Sequence, residues 1–73
     1  MSKFSTGDLL FMKSTVDFVH FGKWVRLAEG ARVLILRTGV PGIPVEILVN
    51  GTHHYRINHR TILPGTYYED TDV

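Results

Sequence analysis

The chain has 73 residues, 44% of them hydrophobic, with a formal net charge of +1 and no cysteine. A chain of this size buries only about 60% of its unfolded surface, and without Cys it has neither disulfides nor thiolate metal sites to staple a marginal core. Stability must come from an efficient small core or from association with other chains.

No apolar run of about 18 residues is present to cross a membrane as a helix. The opening MSKFSTGDLL lacks the apolar segment of a signal peptide, so the expected location is the cytoplasm, or an assembly made there, and not the secretory route. Asn50-Gly51-Thr52 matches a glycosylation sequon and is read as turn chemistry. The charge is uneven. Residues 66–73, TYYEDTDV, hold Glu69, Asp70 and Asp72 and no cation, which leaves eight Lys and Arg against Asp8, Asp17, Glu29 and Glu46 in residues 1–65. A single domain over 1–65 with an acidic tail over 66–73 is therefore expected. Tyr67 and Tyr68 either clip that tail to the body or are disordered with it.

In chain order, Ser5-Thr6-Gly7-Asp8 reads as a turn and residues 9–13 (LLFMK) as a first strand. In residues 14–22 (STVDFVHFG), Ser14 and Asp17 stand at capping-box spacing, and Gly22 suits a helix end. Val16, Phe18, Val19 and Phe21 are β-formers, however, and the piece is short for a helix. It is expected to be an apolar loop with one helical turn or a short β-arm. Residues 23–27 (KWVRL) read as a short strand with Trp24 packed inward, followed by a turn at Ala28-Glu29-Gly30.

Residues 31–38 (ARVLILRT) form the clearest central strand. Val33 and Ile35 take one face and Leu34 and Leu36 the other, so the strand is buried on both faces or presents one to a partner. Gly39-Val40-Pro41-Gly42 breaks it, and Pro44 belongs at the start or edge of the next strand.

Asn50-Gly51 signals a hairpin. Two-residue pairing would set Val49 opposite Thr52 and make the apolar faces disagree. A three-residue loop, Val49-Asn50-Gly51, sets Ile47 against His53, Val45 against Tyr55 and Ile43 against Ile57, all on one face. A one-residue slip exchanges the faces, so burial favours the longer loop, a type I turn with Gly51 left-handed in a G1 bulge. Glu46 then faces His54 outside. Asn58-His59-Arg60 reads as a tight turn and residues 61–63 (TIL) as a last strand, ended by Pro64-Gly65.

This succession of first strand, long first loop, three strands with tight connections, a one-turn link and a short last strand resembles the SH3-like barrel. Phe4-Ser5-Thr6-Gly7-Asp8-Leu9 is similar to the F-x-x-GD-L opening of small SH3-like proteins of tailed phages, as is Val45-x-Ile47 through Asn50-Gly51, Tyr55-Arg56-Ile57 and Leu63-Pro64. The resemblance implies an all-β, small five-stranded SH3-like barrel with a short helical or 3₁₀ turn, in an accessory or virion protein. The aromatic peptide-binding residues of signalling SH3 domains are not matched.

No chemistry rises from the motifs. His20, His53, His54 and His59 are the only histidines. His53 and His54 are neighbours that point to opposite strand faces, and a zinc site wants four good ligands. There is no Gly-x-Ser-x-Gly elbow, carboxylate pair or glycine-rich phosphate loop. The expectation is a non-enzymatic structural or protein-interaction module, with no metal, cofactor, membrane or small-molecule substrate, that self-associates or joins a larger assembly. Its contacts would be Phe18, Val19 and Phe21 of the first loop and Leu34 and Leu36 of the central strand, since apolar exposure marks contact surfaces. The alternative is a nucleic-acid-binding barrel with Lys23, Arg32, Arg37, Arg56 and Arg60 as a basic rim. It lacks an exposed aromatic platform if Trp24 and Tyr55 point inward.

Overall fold

A computed structural model of the chain describes residues 5–38, 44–58, 60–63 and 65–69. The expected turn at Gly39-Val40-Pro41-Gly42, the placement of Ile43, His59 and Pro64, the Phe4 start of the opening motif, and the tail residues Asp70 to Val73 lie outside them.

The protein is all-β. Among the described residues seven strands run in chain order: β1 Leu9–Met12, β2 Val16–His20, β3 Lys23–Leu27, β4 Arg32–Arg37, β5 Val45–Val49, β6 His53–Ile57 and β7 Tyr67–Glu69. They form two antiparallel sheets, one ordered β6-β5-β4-β1-β7 and one made of the β2–β3 hairpin. The expected helical or 3₁₀ turn is not found among the described residues. β6 and β7 are the two edges of the larger sheet, and no closed barrel forms among those residues.

β4 is central because it is hydrogen-bonded on both sides, to β1 through Leu10↔Val33 and to β5 through Ile35↔Ile47. The preceding turn, closed by the Asp8 N–H donating to the Ser5 carbonyl, extends this seam. The Gly7 N–H donates to the Ile35 carbonyl at 2.8 Å, and the Ile35 N–H donates to the Asp8 carbonyl at 2.9 Å. Past Ile35 the register with β5 shifts, so that Arg37 opposes Glu46 and Leu36 is the extra residue of a β-bulge. A bulge bends its strand and re-aims a side chain. Here it leaves Leu36 exposed and turns Arg37 to the outer face.

The β5–β6 hairpin corrects the expected register. Val49 pairs with His53, Ile47 with Tyr55 and Val45 with Ile57, two residues away from the predicted partners. The loop is Asn50-Gly51-Thr52. Asn50 and Gly51 both have positive φ, 53° and 77°, and the Thr52 N–H donates to the Val49 carbonyl. The backbone thus uses the mirror-image turn that Asn-Gly favours and adds Thr52 as an extra residue. Asn50 is tied down as well: its N–H donates to the Arg32 carbonyl at 2.8 Å, and its Oδ1 accepts from the Arg32 N–H at 3.0 Å. Because the register moved by two, the faces survive. Val45, Ile47, Tyr55 and Ile57 share the inner side.

Of two further expectations, one is refined and one overturned. Residues 14–27 form a β-hairpin and not a loop leading to one strand, which is the short β-arm form taken to its full length. Residues 61–63 are not a strand. They follow a turn closed by the Thr61 N–H on the Asn58 carbonyl, and Ile62 plugs the core. The last strand is β7, paired with β1 through Phe11↔Tyr68, so part of the stretch read as an acidic tail is built into the sheet.

The core lies between the inner face of the larger sheet and the inner face of the hairpin. It is made of Leu10, Met12, Val33, Ile35, Val45, Ile47, Val49 and Ile57 from the sheet, Phe18 and Leu27 from the hairpin, and Ala31 and Ile62. No polar or charged side chain is buried among the described residues, so no desolvation penalty for a buried polar group is set against this burial. Phe18, expected to be a partner contact, is only 8% exposed. Replacing it with Ala should cost about 3–5 kcal/mol, whereas Leu36→Ala at the exposed bulge should cost under about 1 kcal/mol. Urea midpoints of the two variants measure the difference.

Candidate functional site: the hairpin tip

The β2–β3 hairpin turns on Phe21-Gly22. Both have positive φ, 51° and 78°, and His20 pairs with Lys23, which makes a two-residue mirror-image turn. Alternation then sorts the side chains. Val16, Phe18, Val25 and Leu27 face the sheet; Asp17, Val19, Trp24 and Arg26 face away.

The arm is docked by aromatic edges. Tyr55 of β6 meets Phe18 at 5.6 Å between ring centroids and His20 at 5.1 Å, both edge-to-face, and His20 meets Phe21 at 4.4 Å. Such pairs add about 0.5–1.5 kcal/mol each beyond their area. His53 stacks on the Tyr55 ring at 6.3 Å, and its Nδ1 lies 2.8 Å from the Thr52 hydroxyl, so it rims the core. Tyr55 is the bolt that decides which face of the arm is inside.

The consequence is an exposed apolar cluster at the free end. Trp24 stands directly opposite Val19, and the two are 76% and 54% exposed; Phe21 at the tip is 87% exposed. The expected inward packing of Trp24 is thus reversed, because its face of the hairpin turns away from Tyr55. The cluster is bounded by a cross-strand ion pair, with the Arg26 Nε donating to the Asp17 Oδ1 at 2.9 Å. That hydrogen bond, and then the Arg26 charge, hold the Asp17 carboxyl below its ordinary value, and the same contact raises Arg26. Asp17, Trp24, Val25 and Arg26 line an open concavity beside the indole.

Phe21 is also the residue that breaks turn chemistry. A bulky side chain at positive φ is uncommon, and Asn or Gly is the usual occupant of that position. The left-handed conformation costs about 1–2 kcal/mol for an ordinary residue. Strain of this kind persists where the surroundings hold it, and it clusters at functional sites.

The remaining expected contacts divide. Val19 and Phe21 belong to the tip, Phe18 lies beneath it in the core, and Leu34 and Leu36 are on the far side of the larger sheet. Of the basic residues, Lys23 is at the tip. Arg32, Arg37 and Arg56 sit on the outer sheet face, and Arg60 follows β6, its N–H donating to the Asn58 Oδ1. Among the described residues no three His, Asp or Glu side chains gather as a metal site. Among the described residues no helix is long and apolar enough to cross a membrane. Trp24 could have been found from the sequence: a two-residue turn at Phe21-Gly22 puts it on one face with Asp17 and Arg26, and that charged pair marks the solvent side.

Replacing Phe21 with Asn should stabilise the domain by about 1 kcal/mol, read as a higher urea midpoint. The lowered Asp17 pKa gives a signed pH dependence. Its contribution to stability is present above the unfolded carboxylate value of about 3.9 and is lost as pH falls through the lower folded value. A carbon-detected NMR titration should find the Asp17 midpoint below the ordinary range, and Arg26→Ala should move it up.

No protein-family model, curated protein or solved structure matches the chain, so the site's own geometry carries the functional reading.

Proposed function

We propose that the protein is a non-enzymatic interaction module on an SH3-like scaffold, docking on larger components such as those of a phage virion. The observation that carries this is the hairpin tip. Three large apolar side chains, Val19, Phe21 and Trp24, are held in solvent on a short arm whose other face is bolted to the core. Exposed apolar clusters ringed by polar groups mark contact surfaces, and a buried Trp is the commonest energetic anchor of an interface. A short rigid arm spends little entropy on binding, because its shape is set before the partner arrives.

The scaffold reading is supported by the succession of elements. A first strand, an excursion through β2 and β3, the consecutive neighbours β4, β5 and β6 and a last strand beside the first make an order similar to the one the resemblance implies, with that last strand at Tyr67–Glu69 in place of residues 61–63. The virion setting rests on the similarity of the Phe4 to Leu9 and Val45 to Pro64 motifs.

One observation favours a second reading, single-stranded nucleic-acid binding. Trp24 and Phe21 supply the exposed aromatic platform that the sequence withheld, and Lys23 adjoins Trp24 in β3. The two readings part on one experiment. A Val19→Ser/Phe21→Asn/Trp24→Ser variant should keep or raise its urea midpoint, yet lose self-association in sedimentation velocity or lose a protein captured by the wild type. Capture or assembly unchanged in the variant would sink the first reading. Salt-sensitive retention on single-stranded DNA, abolished by Trp24→Ser, would install the second.

A further inference from the structure

The outer face of the five-stranded sheet is a second surface, remote from the hairpin. The register lays its side chains in three rows. Tyr68, Phe11 and Arg32 form the first, with Phe11 edge-on to Tyr68 at 6.4 Å and the Lys13 ammonium 5.2 Å over the Tyr68 ring. Leu9, Leu34, Leu48 and His54 form the second. Arg37, Glu46 and Arg56 form the third. The leucine row is thus an apolar floor between Arg32 on one side and Arg37 and Arg56 on the other. Leu9, Leu34, Leu48, Arg32 and Gly51 line a shallow groove of about 220 Å³ along it.

The electrostatics of this face are one-sided. Glu46 is its one acid among the described side chains, and it is already engaged, 3.8 Å from the Arg37 Nε and 3.2 Å from the His54 Nε2. Arg32 and Arg56 enter no side-chain ion pair among the described residues. We propose that this groove receives an extended partner segment that runs across the rows and carries an acidic, an apolar and an acidic residue on one face, at i, i+2 and i+4. Its apolar side chain would lie on Leu9, Leu34 and Leu48, and its carboxylates would reach Arg32 and Arg56. Charge complementarity selects this occupant. A second copy of the sheet would set arginine against arginine across the seam, and like charges facing each other at an interface are costly. A nucleic acid needs free rings to stack on; the groove is floored by leucine, and the rings beside it, Phe11 and Tyr68, are engaged edge-on with each other and under Lys13. With the hairpin tip the surface makes the module bivalent, but it does not depend on that tip.

The test uses the whole chain and three labelled probes: a peptide of repeating Asp-Ser-Leu-Ser, the same peptide with lysine in place of aspartate, and single-stranded oligothymidylate. Fluorescence anisotropy should show binding of the acidic peptide alone, with amide shift changes at Leu9, Leu34 and Leu48. Arg32→Glu with Arg56→Glu, both at exposed positions, should weaken it on the order of tenfold, while Trp24→Ser should bind like the wild type. That last arm separates failure here from failure at the tip. Equal binding of the lysine peptide, shift changes confined to the hairpin, or indifference to the arginine variant would overturn the proposal. Oligothymidylate binding lost in the arginine variant would reassign the face to nucleic acid. Self-association lost in that variant would reassign it to a second copy.

Discussion

An open five-stranded sheet in a chain without disulfides has to have one face covered, and in this protein the cover is a single hairpin with Ile62. Everything else is arranged around that constraint. β4 is bonded on both edges and sends Val33 and Ile35 inward. β5 and β6 add Val45, Ile47, Val49 and Ile57, and the hairpin closes over them with Phe18 and Leu27. Tyr55, wedged between Phe18 and His20, holds the cover in place. With every buried side chain among the described residues apolar, the small core is a full return on its area, less the entropy of ordering the chain.

Covering one face leaves two surfaces that cover nothing. A hairpin that is apolar on both sides can bury only one of them, so Val19, Trp24 and the strained Phe21 stay in solvent. A sheet whose central strand is apolar on both sides likewise leaves Leu34, with Leu9 and Leu48, on its outer face. The same economy that stabilises the fold creates both candidate contact surfaces. They differ in kind: the tip is a protruding aromatic knob, and the outer face is a flat leucine floor edged with arginine.

Much of the fold was legible because β alternation is a strict period. The all-β class, the central strand and the inner set Val45, Ile47, Tyr55 and Ile57 all follow from it. The exposed Val19 and Phe21 were legible too, as apolar residues in excess of what a solvated loop needs. Phe18 was misplaced with them. A stretch whose two faces are both apolar does not say which one is inside, and Phe21-Gly22 carries a residue that turn chemistry would not choose.

Parity, then, was determined by the sequence alone: which residues travel together on a face is set by the two-residue repeat, and a register error of two leaves it intact. The particular partner was decided only in three dimensions. Val49 meets His53 and not Thr52 because Asn50 is held by Arg32 from a strand 18 residues away. Trp24 is outside and Phe18 inside because Tyr55 offers its ring to one face of the arm. The terminal strand is Tyr67–Glu69 because the free edge of β1 takes its hydrogen bonds. Each of these choices is a contact between residues far apart in the chain, whose free energy no local pattern contains.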